Sequence, residues 1–352
     1  MATNIAIIDD SLLVRNILSD VLEKKDGFHI VATGKTGVDC IELAEKLKPD
    51  FIILDIEMPI MDGLTALAEI KKKRLPSAVI MLSVLTQHGA DATFRALELG
   101  AIDFVPKPSS GNQFSPEEIA DVLSGKIKGF LDSRQASIKP PVKIVHEVPG
   151  NKSFQKPVSV NAIGIGTSTG GPKALQTLFS ALPADFAKPI LVVQHMPAGF
   201  TKAFAERLNS LSKIKVKEAE NGDIIEPGKA YIAPGDYQMR VVSKDNAKVI
   251  ELHQSGPVNG HRPSIEVLFD SMAEVYGANH LMSVIMTGMG RDGSQSISNI
   301  RAKGGVTFAQ DEPTSVVYGM NRVAVELGGI DFVLPLEEIV PKMIELLKTR
   351  GN

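Results

Sequence analysis

Three carboxylates, a hydroxyl and an ammonium group follow predicted strands in the N-terminal third of the chain. Asp9 and Asp10 come directly after the first strand, Asp55 comes after the third, and Ser83 and Lys107 end the fourth and fifth. Because the carboxyl ends of parallel strands share one edge of a sheet, we expect these groups to converge there. Crowded carboxylates repel each other unless a cation holds them, and oxygen ligands suit Mg²⁺.

This cluster predicts phosphoryl transfer onto a carboxylate. Asp55 would act as the nucleophile, while Mg²⁺ and Lys107 neutralise the phosphoryl oxygens. Ser83 would hydrogen-bond one of those oxygens and move with the state of the site. The structural alternative is that aspartates after strands only form turns or cap helices.

A serine in a glycine-rich turn is the second candidate for chemistry. The segment 166–170 matches G-x-S-x-G around Ser168, with a strand before it and a helix after Pro172. Flanking glycines permit the tight turn that exposes a nucleophilic hydroxyl. A phosphate-binding turn is the alternative, but Thr169 stands where the dinucleotide fingerprint needs glycine. Pro172 likewise stands where a P-loop would continue toward its lysine.

A base and an orienting carboxylate also follow strands in this half. His195 and Asp292 each lie just past a predicted strand, so they can meet Ser168 at one sheet edge as a triad. The order Ser…His…Asp differs from that of the α/β-hydrolases. The backbone N–H of Met289 and a donor from Thr169 are candidates for the oxyanion site. A structural histidine and an aspartate that caps the helix following it are the alternatives.

The elements that must position these residues alternate between strand and helix throughout the chain. The predicted strands of the first half are 5–8, 29–33, 51–54, 79–83 and 101–105, with helices at 12–24, 36–47, 63–74, 87–98 and 116–134. Those of the second half are 162–166, 190–194, 214–218, 281–286, 306–309 and 332–334, with helices at 172–181, 200–211, 263–276, 292–303 and 336–348. Segment 219–260 is expected to be an insertion that carries a hairpin.

This pattern predicts two doubly wound parallel α/β domains joined by a linker. We expect domains at 1–134 and 159–352, because the proline-rich segment 135–158 has no helical period. The 352 residues carry a net charge of −3, which gives no basic bias toward nucleic acid and argues against a DNA-binding output domain. Cys40 alone excludes a disulfide framework. Without a signal peptide or a long apolar run, we expect a cytoplasmic protein that is not inserted in a membrane.

Residues 4–130 resemble the receiver domain of bacterial response regulators, which is flavodoxin-like in topology. The resemblance is carried by the runs IAIIDDSLLVRNIL, ILDIEMPIMDGL and DFVPKP. It implies the following roles: phosphoacceptor Asp55, Mg²⁺ ligands Asp9, Asp10 and Asp55, switch hydroxyl Ser83, aromatic switch residue Phe104 and phosphate-binding Lys107. A histidine kinase is the implied phosphodonor.

Residues 160–348 resemble the catalytic domain of the chemotaxis protein-glutamate methylesterases. The runs GTSTGGPKAL, VVQHMPAGFT, YIAPGDY, GHRPSIEVLF and MTGMGRDG carry this resemblance. It implies a cofactor-free triad of Ser168, His195 and Asp292 that demethylates, and in many members deamidates, the cytoplasmic helices of methyl-accepting chemoreceptors. The receiver is expected to cover the serine until phosphorylation opens the site. One departure is that Tyr237 and Gln238 stand where a histidine is expected.

Overall fold

Strands buried on both faces form the centre of each half of the chain. The structure, a computed structural model, describes residues 2–25, 27–84, 87–107, 115–136 and 159–348. Its internal contacts divide the chain into two units, Met1–Leu131 and Asp132–Asn352. The predicted linker 135–158 lies outside the described residues from residue 137 onward.

The first unit is a parallel sheet of five strands in the order β2-β1-β3-β4-β5. Its strands are β1 (Thr3–Ile8), β2 (Phe28–Gly34), β3 (Phe51–Asp55), β4 (Ala78–Ser83) and β5 (Asp103–Pro106). Its helices are α1 (Leu12–Glu23), α2 (Gly37–Leu47), α3 (Gly63–Lys72), α4 (Gln87–Leu99) and α5 (Pro116–Ala136). Every residue of β3 and β4 is buried, as expected for central strands covered on both faces.

The second unit contains a parallel sheet of seven described strands in the order β14-β13-β12-β6-β7-β9-β8. Its strands are β6 (Ala162–Thr167), β7 (Ile190–Gln194), β8 (Lys215–Glu218), β9 (Lys229–Ile232), β12 (Leu281–Ile285), β13 (Val306–Gln310) and β14 (Phe332–Leu334). A separate antiparallel hairpin is formed by β10 (Gln238–Lys244) and β11 (Ala247–His253). Its helices are α6 (Gly171–Ala181), α7 (Thr201–Leu211), α8 (Ile265–Met272), α9 (Ser294–Ala302), α10 (Met320–Glu326) and α11 (Leu336–Lys348).

The order of this second sheet reverses at β6. The next strand in the chain, β7, lies on one side of β6, and β12 lies on the other. In open α/β sheets, ligands bind beyond the carboxyl ends of the strands at such a reversal. The three strands that precede Ser168, His195 and Asp292 are these three neighbours.

The predicted fold class is confirmed, with three corrections inside the second unit. Residues 229–232 form β9, a strand of the main sheet between β7 and β8, whereas we expected an insertion there. Helix α10 was not predicted, because its seven residues offer less than two turns of periodicity. The predicted helix 263–276 is helical to Met272 and continues as one wider π-helical turn at Ala273–Gly277.

In the described part of the chain, none of the helices has the length and apolar character to cross a membrane.

Candidate active site

Ser168 lies in a tight turn between β6 and α6. Its backbone N–H donates to the carbonyl of Thr287 (3.0 Å), and its own carbonyl accepts from the N–H of Gly171 (2.8 Å). A Cβ atom at Gly171 would lie 2.0 Å from Gln194 Oε1, so the turn requires glycine at this place. The turn therefore holds Ser168 at the end of β6, and Ser168 is 8% exposed.

His195 follows β7 and pairs with Asp292. Its backbone N–H donates to the carbonyl of Thr167 (3.1 Å), and its Nε2 lies 2.8 Å from Asp292 Oδ2. The two side chains are 7% and 0% exposed. His195 Nδ1 is buried and has no hydrogen-bond partner in the described part of the chain. When Nε2 carries the proton donated to the carboxylate, Nδ1 keeps the lone pair that can accept another.

Asp292 accepts hydrogen bonds from several groups besides His195. Donors to its carboxylate are Asn259 Nδ2 (3.0 Å), Ser264 Oγ (2.8 Å) and the backbone N–H of Ile265 (2.7 Å). Ile265 opens α8, where the helix dipole favours a negative charge. Burial acts to raise the pKa of Asp292, but the hydrogen bonds and charge of its neighbours, His195 first, lower it to about 2. The carboxylate is thus held in its ionised form.

Gln194, the last residue of β7, fixes the spacing between the serine turn and the histidine. Its side-chain Nε2 donates to the carbonyls of Ser168 (2.9 Å) and His195 (3.0 Å). Its Oε1 accepts from Thr167 Oγ1 (2.6 Å). Gln194 was not predicted as a site residue, although a polar glutamine at the end of the apolar run ILVV indicated one. Asn259 and Ser264 gave no comparable signal, because they lie outside the strand ends.

The two oxyanion candidates lie beside the serine turn. Thr169 is buried, and its carbonyl accepts from Thr287 Oγ1 (2.8 Å). Met289 is half-buried and follows Gly288, whose carbonyl accepts from the N–H of Met320 (2.9 Å). A Cβ atom at Gly288 would lie 2.8 Å from Ser168 Cβ, so this loop runs directly against the serine.

In the first unit, the acidic cluster forms around one ammonium group. Lys107 Nζ lies 2.7 Å from Asp55 Oδ2, 3.1 Å from Asp9 Oδ2 and 3.7 Å from Asp10 Oδ1. Burial raises the pKa of Asp55 to about 6, against the opposing effect of Lys107, and burial also raises the pKa of Asp9. Burial acts to lower the pKa of Lys107, but the hydrogen bond and the charge interaction with Asp55 raise this pKa overall.

These residues fit a divalent cation. Ligand oxygens of Asp9, Asp10 and Asp55 all lie within 4.8 Å of one another. Asp9 Oδ2 is buried without a hydrogen-bond partner in the described residues, despite its ion pair with Lys107. Three carboxylates and one ammonium leave two negative charges, and Mg²⁺ prefers such oxygen ligands. The side-chain cluster therefore can hold Mg²⁺.

Ser83 and Phe104 lie in the same sheet as the acidic cluster. The Ser83 hydroxyl donates to the carbonyl of Gly89 (3.3 Å) and accepts from Thr93 Oγ1 (2.5 Å), which ties it to α4. Phe104 is buried in β5. The structure thus brings Asp9, Asp10, Asp55 and Lys107 together, while Ser83 is bonded to the neighbouring helix.

The fold and the two sites define a response regulator whose output domain is a hydrolase. Comparison with known families agrees, since residues 5–116 match the response regulator receiver domain and residues 163–343 match the CheB methylesterase. The chain belongs to the protein-glutamate methylesterase/protein-glutamine glutaminase family, which confirms the resemblance seen in its motifs.

Relatives of that name align along nearly the whole chain. The one from Pyrococcus horikoshii is 44% identical over 99% of this chain and 95% of its own length. The one from Pseudomonas aeruginosa is 40% identical over 100% of this chain and 99% of its own. The Thermotoga maritima CheB methylesterase catalytic domain, a crystal structure, is 43% identical, with a TM-score of 0.52 over 54% of this chain and 100% of that chain.

Proposed function

We propose that the chain hydrolyses glutamate methyl esters on methyl-accepting chemoreceptors, with Ser168, His195 and Asp292 as its catalytic triad. The observation that carries the proposal is the buried His195–Asp292 pair, whose free Nδ1 lies at the same sheet edge as the Ser168 turn. The names of the relatives supply the glutamate ester as the group acted on, and the resemblance seen in the motifs supplies the chemoreceptors. The receptor's cytoplasmic helices are the proposed site of action, which makes the enzyme cytoplasmic.

In the acylation step, Ser168 Oγ attacks the ester carbonyl carbon as its proton passes to His195 Nδ1. Asp292 stabilises the imidazolium through Nε2, because it remains ionised at neutral pH. The backbone N–H of Met289 and a donor from Thr169 stabilise the oxyanion. Collapse of the tetrahedral intermediate breaks the C–O bond, and methanol leaves with the proton from Nδ1.

In the deacylation step, water attacks the acyl-enzyme while His195 Nδ1 takes its proton. The C–Oγ bond then breaks, Ser168 regains the proton, and the glutamate carboxylate is released. The same steps convert a receptor glutamine to glutamate, with ammonia as the leaving group. This accounts for the second activity in the relatives' name.

The first unit regulates this reaction through Asp55. A histidine kinase supplies the phosphoryl group, and Asp9, Asp10 and Asp55 would hold Mg²⁺, which when bound would neutralise charge on the phosphoryl oxygens. After phosphorylation, the Lys107 ammonium breaks its ion pair with the Asp55 carboxylate and pairs with the phosphoryl group. Ser83 and Phe104 are the proposed switch residues, and Ser83 would exchange its bond to Gly89 for one to the phosphoryl group.

The test is methanol release from methylated receptor membranes, with and without a small phosphodonor and Mg²⁺. We expect Ser168→Ala to abolish release and Asp55→Asn to remove the response to phosphodonor while basal release continues. Ser180→Ala, at an exposed serine of α6, is the matched control for the first substitution. Release that survives in Ser168→Ala contradicts the triad, and a phosphodonor response that survives in Asp55→Asn moves the switch elsewhere.

A further inference from the structure

The imidazole of His261 lies flat against that of His195. The ring centroids are 3.7 Å apart, and the ring planes differ by 11°. The hydrogen bond from His195 Nε2 to Asp292 fixes one point of the catalytic ring but leaves the ring free to tilt about that bond. A second ring stacked on its face removes this freedom, because tilting would separate the stacked surfaces.

A buried glutamine holds His261 in place. Gln238 is fully buried at the start of β10, and its Nε2 donates to the carbonyls of His261 (3.0 Å) and Gly256 (3.4 Å). Its Oε1 accepts from the backbone N–H of Ser264 (2.8 Å). One side chain thus fixes the backbone on both sides of the cis Arg262–Pro263 bond. The family resemblance led us to expect a histidine near this position, where the chain has Tyr237 and Gln238.

The rest of the loop is closed by local bonds. Val258 and His261 exchange backbone hydrogen bonds of 3.0 and 2.9 Å. Arg262 Nε donates to Asp236 Oδ1 (3.0 Å), and its Nη1 donates to the carbonyl of Ser255 (3.0 Å). The loop that presents His261 is therefore tied to the residues that precede β10 and follow β11.

We propose that His261 is a positioning residue for the base His195 and that Gln238 holds His261 against it. The proposal rests on the role given above to His195. Stacking keeps the plane of the His195 ring constant through both proton transfers, so that Nδ1 can accept the proton of Ser168 while Nε2 stays bonded to Asp292. His261 itself transfers no proton, and its ring shape rather than its nitrogens is what the site requires.

The test compares His261→Ala, His261→Phe and Gln238→Leu in the full-length, phosphodonor-activated protein. For His261→Ala we expect kcat for methanol release to fall about 10- to 100-fold with KM within about twofold of wild type, as for a misplaced catalytic group. His261→Phe keeps a flat ring and should recover most of the loss. Gln238→Leu should lower kcat in the same way. His29→Ala, at an exposed histidine of the first unit, is the matched control.

¹⁵N NMR of the histidine rings gives a readout that a purely structural role would not change. Wild type should show one His195 tautomer, protonated at Nε2, and His261→Ala should show a mixture while its thermal midpoint stays near that of wild type. Folded Gln238→Leu should show the same mixture with a lower thermal midpoint, because the substitution leaves buried backbone groups without their hydrogen bonds. Should His261→Ala fail to fold, the spectra and kcat of His261→Phe and Gln238→Leu decide.

Three results would overturn the proposal: wild-type kcat in His261→Ala, a His261→Phe as inactive as His261→Ala, or an unchanged His195 tautomer in folded His261→Ala and Gln238→Leu. The second would mean that a nitrogen of His261 takes part in proton transfer. Methanol release from Ser168→Ala and His195→Ala, measured beside them, separates these results from a failure of the proposed function. If those two are inactive and His261→Ala has the wild-type kcat, the triad stands and the positioning role is wrong.

Discussion

The side-chain amide of Gln194 donates a hydrogen bond to the backbone carbonyl of Ser168, with its Nε2 2.9 Å from that oxygen. The same nitrogen also bonds the carbonyl of His195, which is one residue further along the chain. Ser168 and His195 lie at the ends of the neighbouring strands β6 and β7, and the Gln194 side chain joins their backbones. It is 2% exposed, so water cannot replace these bonds.

Gln194→Glu is expected to lower both stability and kcat. The carboxylate has the size of the amide but places an acceptor oxygen against two carbonyl oxygens, which costs about 1–3 kcal/mol for a buried, unsatisfied group. Gln295→Glu, at an exposed position of α9, is the control. Thermal unfolding and methanol release check the prediction, and a Gln194→Glu enzyme as stable and active as wild type would contradict it.

The pH dependence of stability should carry a contribution from Asp292. Its pKa is lowered to about 2 in the folded state, so its stabilising effect is complete above the unfolded-state pKa near 4 and is lost as the pH falls toward 2. A shift of this size corresponds to about 2 kcal/mol. Chemical unfolding of wild type and Asp292→Asn from pH 6 to pH 2 should show a stability difference that narrows below about pH 4. A difference that stays constant over this range would be the contrary result.

Asp55 should have the opposite effect in the absence of divalent cations. Because burial raises its pKa to about 6, the folded state loses stability as the pH rises from about 4 to about 6, and this loss persists at neutral pH. Asp55→Asn should therefore raise the thermal midpoint of the metal-free protein at pH 7 and change it little at pH 4. Added Mg²⁺ should narrow the difference at pH 7 by stabilising wild type. The prediction is wrong if Asp55→Asn is the less stable protein in EDTA at pH 7.

Gly63 allows the chain to pass beside Asp55, the proposed phosphoacceptor. A Cβ atom there would lie 2.0 Å from the carbonyl oxygen of Asp55, and the N–H of Gly63 donates to the carbonyl of Ile56 (2.8 Å). Gly63→Ala should cost about 1–3 kcal/mol, since backbone must move to admit the methyl group. Gly256→Ala meets no atom within 4 Å and is the control. Thermal unfolding and phosphorylation of Asp55 by a small phosphodonor check the expected loss.

The residues that end predicted strands could be assigned from sequence, because parallel strands align their carboxyl ends. Ser168, His195 and Asp292 were proposed as site residues in this way, and so was the acidic cluster around Lys107. The order of strands in the second sheet could not be found, because it depends on long-range pairing. Residues 229–232 illustrate this, since the short run KAYI among glycines and prolines looks like part of a hairpin yet lies inside the main sheet.

For Asp292, the local sequence pattern predicted helix capping but indicated the wrong helix. The sequence offered helix capping as the structural alternative to a triad role, with Asp292 at the start of the helix that follows it. In the structure Gly293 is the N-cap of α9, while Asp292 accepts from the N-terminal backbone of α8. The sequence contains no local signal for this, because α8 begins 27 residues earlier.

The hydrogen bonds made by Asp292 affect how this protein can be compared with its relatives. Because the carboxylate joins the loop after β12 to the start of α8, it serves the fold even when no reaction takes place. A lineage that gave up hydrolysis could lose Ser168 at little structural cost but would still be selected to keep Asp292. Asp292 therefore reports on the fold of a relative, and under the proposed function Ser168 is the residue whose loss would mark the end of catalysis.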